Sequence, residues 1–199
     1  MFKRDTEQLI EFIESSEYTD IIFDFDETIV QLLVDWSVLG EDRQKVAERL
    51  NHLKERKEMW NYKFQDFLIE KYWPDMKKEL DGYSLHAETD HLLGVNENQL
   101  LIEFIKENYK KYKFYIVSNN MNVTITQMVK ELGLEECFHS IIWRDDVSFP
   151  KPRAEGIEKT IKDAKWKKEN FLMIGDNPIS DWAAAEAAGV DSIIIDMHL

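Results

Sequence analysis

The sequence predicts a three-layer, Rossmann-like α/β fold, a parallel-sheet core into which a small α-helical cap domain is inserted. Short apolar runs recur at 21–25, 113–117, 140–143, 171–174 and 192–195, and beyond the second run each is separated from the next by a helix-length segment. Strands alternating with helices imply parallel pairing through right-handed crossovers. The interval after the first run is much longer and differs in character. It is rich in charge and large aromatics and carries almost no β-branched runs.

Taken in order, residues 5–16 place Leu9, Ile10, Phe12 and Ile13 among charges, the spacing of an amphipathic helix that packs on the sheet. Residues 31–96 contain Trp36, Trp60, Tyr62, Phe64, Phe67, Tyr72 and Trp73. Segments 41–58 and 61–72 have helical periodicity, Pro74 and Asp81–Gly82 are read as interruptions, and 83–96 as a short return to the core. A small helical bundle needs apolar filling of its own, which Trp60, Phe64, Phe67 and Trp73 are suited to supply. Helices follow at 97–111, 122–133, 153–165 and 179–188, the last stopped by Gly189. The expected organisation is a core of 1–30 and 97–199 split by a cap of 31–96, with no internal repeat.

Bulk properties narrow the function. A formal charge of -14 over 199 residues argues against a protein that coats nucleic acid, and repels anionic substrates unless the site is locally positive. The opening MFKRDTEQLIEFIES is charged and helix-patterned, unlike a secretory leader, and no run approaches the ~20 apolar residues of a membrane span. The expectation is a cytoplasmic protein, monomer or homodimer, acting on a small molecule. One cysteine, Cys137, excludes an internal disulfide and a cysteine metal cluster, and reads as a small core residue.

The chemistry is carried by IIFDFDETIV at 21–30, FYIVSNN at 114–120, the PKP around Lys151, and FLMIGDNPISDW at 171–182. Each follows, or lies just beyond, a strand-like run, and open α/β sheets bind ligands outside the carboxyl ends of their strands. Asp24 and Asp26 lie two apart, so in a chain that stayed extended both would face one side. Paired carboxylates serve either a hard cation such as Mg2+, which takes oxygen ligands, or a nucleophile with an acid/base partner. Asp24 and Asp176 are the candidate metal carboxylates; Ser118 is a candidate phosphate donor, and Lys151 offers the charge that would hold a phosphate beside Asp24. Asp181 is either a further acid of this ring or the N-cap of the alanine-rich helix 182–188.

These four strings, in this order, resemble the motifs of the haloacid dehalogenase (HAD) superfamily, most of whose members are phosphatases. The resemblance covers residues 20–30 and about 98–199; the 31–96 insertion is similar only in position and helical character to the helical-bundle cap of one branch. The resemblance implies a Mg2+-dependent phosphomonoester hydrolase acting through an aspartyl-phosphate. Asp24 would be nucleophile and metal ligand, and Asp26 the acid/base that also lends the metal its carbonyl. Thr28 would orient the first loop and, with Ser118, Asn119 and Lys151, serve the phosphate. Asp176 would ligate the metal and Asp181 support it. Glu27 departs from the pattern, since many relatives carry glycine there. A phosphomutase on the same fold and a non-catalytic binding or regulatory role are the alternatives; a dehalogenase would not need Asp26, because halide leaves without a proton. The cap cations Arg43, Lys45, Arg49, Lys54, Arg56 and Lys57 are candidates to touch substrate, though most read as solvated and paired with acids, and His86 and His91, five apart, match no metal-site spacing.

Overall fold

The computed structural model describes residues 4–59, 61–165 and 167–197, so Trp60, expected in the core of the insertion, lies outside the described residues. Five parallel strands form the main sheet: β1 (Asp20–Phe23), β4 (Lys113–Val117), β5 (Phe138–Ile142), β6 (Phe171–Gly175) and β7 (Asp191–Ile194), in the order β5-β4-β1-β6-β7. β1 is the central strand and all four of its residues are buried. After the buried Asp20 it reads as an unbroken apolar run rather than an alternating one because helices cover both faces.

On one face α8 (Glu155–Ala164) and α9 (Ala183–Ala188) pack Ile157, Ile161, Ala184 and Ala188 onto Ile22, Tyr115, Phe171 and Met173. On the other, where α1 (Thr6–Ser15) runs beside α6 (Gln99–Asn108), Phe104 of α6 meets Phe114 of β4, which packs in turn at a tilt against Phe23 of β1. α7 (Asn122–Glu131) connects β4 to β5. Cys137 is buried, as its reading as a core residue required.

The chain divides into two compact units, Leu33–Gly94 and the remainder on either side of it. The smaller unit holds α2 (Ser37–Arg49), α3 (Leu53–Glu58), α4 (Asn61–Tyr72) and α5 (Asp75–Asp90). Phe64, Leu68, Ile69, Met76 and Leu80 are buried there, and Phe64 and Phe67 stack with ring centroids 6.2 Å apart. Trp73, expected inside, is 51% exposed. Arg49 pairs with Glu79 at 2.7 Å and Lys45 with Asp42 at 3.0 Å, so these cations are neutralised by acids of the same unit.

Two local expectations are corrected. Asp81–Gly82 does not break the chain: both lie inside α5, where Lys77 and Asp81 form an i,i+4 ion pair and Gly82 faces open space. A mid-helix glycine costs only ~1 kcal/mol, which a sixteen-residue helix absorbs. Residues 83–96, read as a short return to the core, instead carry the end of α5 and then β3 (Leu92–Glu97), which pairs with β2 (Val30–Val34) in a two-stranded sheet. Among the described residues no helix is long and apolar enough to cross a membrane.

Asn98 ties the start of α6 to the loop after β1. Its Oδ1 accepts from Leu101 N as the helix N-cap, while its Nδ2 donates to the Thr28 carbonyl at 3.1 Å and to Thr6 Oγ1 at 2.9 Å. Replacing it with alanine removes the cap and strands a buried carbonyl, each worth ~1 kcal/mol or more. Asn98→Ala should therefore lower the unfolding free energy by about 2 kcal/mol in urea denaturation, with the m-value unchanged.

Candidate active site

The register of β1 decides what meets at the sheet's carboxyl edge. Phe23 lies opposite both Ile116 and Ile174, so Asp24, Ser118 and Asp176 emerge within two residues of the ends of three adjacent strands. Asp24 N still donates to Ile174 O at 2.8 Å, extending the ladder by one bond. The chain then turns, with Ile29 N and Val30 N both donating to Phe25 O. Side-chain alternation consequently stops at Phe23, earlier than the 21–25 run suggested, and does not govern Asp26. The Asp26 carboxylate is oriented instead by Leu32 N, which donates to its Oδ1 at 2.7 Å.

Lys151 is the centre of the arrangement. Its side chain is buried, and its Nζ lies 2.8 Å from Asp24 Oδ1 and 2.6 Å from Asp181 Oδ1. Oxygens of Asp24, Asp176 and Asp181 all fall within 4.8 Å of one another. One ammonium against three carboxylates leaves the pocket over-supplied with negative charge. Burial, then the neighbouring Asp181, pushes the Asp24 carboxyl up to about 6 despite Lys151. Asp176 is pushed up to about 8, by burial first and then by Asp24 and Asp181, with Glu27 adding to the effect. Lys151 moves the opposite way from what burial alone would do, because Asp181 and Asp24 hold its proton.

The remaining predicted residues take supporting positions. Asn119, expected at the phosphate, has both polar side-chain atoms engaged by the Lys151 backbone: Oδ1 accepts from Lys151 N and Nδ2 donates to Lys151 O, each at 2.9 Å. Ser118 is buried at its strand end and donates to Asn120 Oδ1 at 2.9 Å. Thr28 is fully buried, and its carbonyl accepts from Asn98 Nδ2 at 3.1 Å. Asp181 does not cap the alanine helix; Trp182 occupies the cap of α9 and makes no side-chain bond there. The Asp181 carboxylate faces inward from a single π-helical turn, Pro178–Trp182, accepting from Lys151, Ser180 Oγ and Asn177 N.

A model of the haloacid dehalogenase-like hydrolase family matches residues 21–195. The chain belongs to that family. Among curated relatives, the pyrophosphatase PpaX of Halalkalibacterium halodurans is 32% identical over 111 residues, 55% of this chain and 50% of that protein. The chain spans about half the length of the curated relatives it matches. Among solved structures, a haloacid dehalogenase-like protein from Bacteroides fragilis superposes with a TM-score of 0.59 at 20% identity, covering 88% of this chain and 86% of that one. The magnesium-bound YfnB of Bacillus subtilis gives 0.55 at 20% identity, with 89% and 86% covered. At such identities the likeness is one of fold.

Two features of this family member take their meaning from the structure. Gly175 sits against Asp181, where a Cβ would lie 2.3 Å from Oδ2 and 2.6 Å from the Asp181 Cβ. Only a glycine lets that carboxylate come so close to the strand. The second is Glu27, whose φ of 58° is a left-handed conformation that glycine adopts freely and glutamate does not. A side-chain chain holds it there: Gln31 Nε2 donates to Glu27 at 3.0 Å and Asn96 Nδ2 donates to Gln31 at 2.6 Å.

The donor set fits a hard divalent cation, since it offers only carboxylate oxygens and carries negative charge beyond what Lys151 offsets. A carboxyl whose folded value is raised binds more protons folded than unfolded, so its ionisation opposes folding. With divalent ions chelated, stability should fall as pH rises from about 4 toward 8, the window set by Asp24 and Asp176. Adding Mg2+ should flatten that slope; thermal melts across pH, with and without the ion, check it. Gly175→Ala forces Asp181 away from Lys151 and should cost about 1–3 kcal/mol, as overpacking of a filled interior does. Chemical denaturation of that variant is the measurement.

Proposed function

We propose that the chain is a Mg2+-dependent hydrolase of a small phosphate ester or of pyrophosphate, working through an aspartyl-phosphate on Asp24. The observation that supports this reading most directly is the buried Asp24 carboxylate 2.8 Å from the Lys151 ammonium at the end of the central strand. Attack by a carboxylate oxygen on phosphorus forms the Asp24–phosphate bond and breaks the bond to the leaving oxygen, replacing one hard displacement by two easier ones. Asp26 would give the leaving oxygen a proton and later take one from the water that releases phosphate and restores Asp24. Leu32 N orients its carboxylate for that exchange.

Lys151 would draw the phosphoryl oxygens toward Asp24 and offset the repulsion between two anions. Asn119 keeps the lysine in place through its backbone, and Asp181 holds the ammonium from behind. Ser118, at the neighbouring strand end, would donate to a phosphoryl oxygen by exchanging its bond to Asn120. Mg2+, held by Asp24, Asp176 and the Asp26 carbonyl, would supply the positive charge that lets an anionic substrate enter an acidic pocket. We assign the Leu33–Gly94 unit the part of a specificity cap. Pyrophosphate heads the substrate candidates because PpaX relatives bear the name pyrophosphatase.

The test is phosphate release from pyrophosphate, phosphoglycolate, sugar phosphates, nucleotides and a chromogenic ester. Release should require Mg2+ and fall by at least about a thousandfold in Asp24→Asn, the scale set by losing the covalent route. Asp26→Asn should lose most with a poor leaving group and least with an activated aryl ester, which departs without needing a proton. Full turnover in Asp24→Asn would overturn the reading.

A further inference from the structure

The Leu33–Gly94 unit carries a second constellation, made of nitrogen rather than oxygen donors. His86 lies in the last turns of α5, and His91 is the first residue beyond it. On a continuing helix, residues five apart point to different sides. α5 ends at Asp90, however, and His91 N still donates to Ala87 O while its own carbonyl accepts from Asp35 N. That turn brings the two rings together at 89° with centroids 4.9 Å apart and Nε2 atoms 3.4 Å apart.

The electronic state of His86 is set by its neighbour. Asp90 Oδ2 lies 2.8 Å from His86 Nδ1, so the ring donates its Nδ1 proton to that carboxylate. In the neutral ring the lone pair then lies on Nε2, the atom nearest His91 Nε2. A separation of 3.4 Å is beyond the usual range for an N–H hydrogen bond. It is the spacing of two nitrogens bound to one tetrahedral ion, since bonds of ~2.0–2.1 Å at the tetrahedral angle put them about 3.3–3.4 Å apart. The carboxylate behind His86 is the usual companion of a metal-bound imidazole.

Two carboxylates, Asp90 and Asp35, lie near the pair. The Asp90 carboxyl is held low, first by its bond from His86, and His91 adds to the effect. The Asp35 carboxyl is held low chiefly by Ser37, and again His91 contributes. His86 also lines a cleft of about 590 Å3 together with Asp42, Glu79 and Tyr83, which gives an ion and its waters a way in. Among the described residues no third His, Cys or carboxylate joins these two nitrogens at ligand distance, so water would fill the remaining positions.

We propose that His86 and His91 form a transition-metal site that takes Zn2+ or Cu2+, distinct in ligand chemistry from the all-oxygen site of Asp24, Asp176 and Asp181. Imidazole suits these ions, whereas carboxylate suits Mg2+, so each site selects its own class of cation. The proposal does not depend on the hydrolase reading. Binding would join the end of α5 to the residue that leads into β3, where the chain leaves the unit.

The test is one equivalent of Cu2+ added to the full chain in excess Mg2+, read by electron paramagnetic resonance. The nitrogen hyperfine pattern reports imidazole ligation and is silent for the carboxylate site. Two coupled nitrogens are expected in the wild type, with the pattern lost in both His86→Ala and His91→Ala. Asp90→Asn should keep the pattern but weaken Cu2+ binding about tenfold, the effect of removing the group that orients a ligand. Both histidine variants remove solvent-accessible rings while the Asp35–His91 bond is backbone to backbone, so a melt matching the wild type separates ligation from folding. A spectrum with no imidazole nitrogen, with one only, or unchanged in either histidine variant would overturn the proposal.

Discussion

The Lys151 ammonium is the interaction on which the rest of the site depends. Taking charges out of water costs several kcal/mol per ion, and a buried pair is stable only when its geometry is good and its other hydrogen-bonding sites are filled. Here one cation lies within 2.8 Å of one carboxylate and 2.6 Å of another, with a third acid close by. Many of the surrounding residues serve that balance. Asn119 fixes the lysine backbone at two points, and Asn177 N and Ser180 satisfy the other lone pairs of Asp181. Gly175 leaves the room that Asp181 needs. The residual negative charge is the part the chain does not neutralise itself, and it suits a hard cation.

The sheet supplies the precision. Because β1 is paired on both sides in register, three strand ends are fixed relative to one another by backbone hydrogen bonds, and side chains at those ends inherit that rigidity. The loop leaving β1 is less relaxed. Glu27 holds a left-handed conformation through Gln31 and Asn96, and Asn98 pins the loop by the Thr28 carbonyl. Strain of this kind persists only where the surroundings over-determine it, and it concentrates at functional positions. The glutamate also adds charge beside Asp176, so this departure from the common glycine changes both the backbone and the electrostatics.

Two donor chemistries in one chain follow from two ways of ending a structural element. Parallel strands end together, so the acids placed after them converge as a group. A helix that stops lets the next residue swing round to a ring it would otherwise have faced away from. The first arrangement yields hard oxygen ligands and the second a pair of imidazoles.

The layered α/β architecture was legible in the sequence, because apolar runs of strand length alternating with amphipathic segments admit few other packings. The sequence also located the four strings whose acids and lysine meet, since residues at the carboxyl ends of parallel strands must converge. What it left undecided depends on contacts between residues distant in the chain. β3 (LLGVNE) is nowhere fully buried and has one β-branched residue, so the β2–β3 pair gives no clear strand signal, and Gly82 is carried by a helix whose tertiary packing outweighs its propensity. Asn119 and Ser118 look equivalent as neighbours, yet only the fold turns one toward the Lys151 backbone. Whether Asp181 capped a helix or held a lysine was a choice between two local geometries, decided by the π-helical turn and by Gly175 on another element. His86 and His91, five apart, match no metal-site spacing in the sequence, and their rings meet at a helix end visible only in three dimensions.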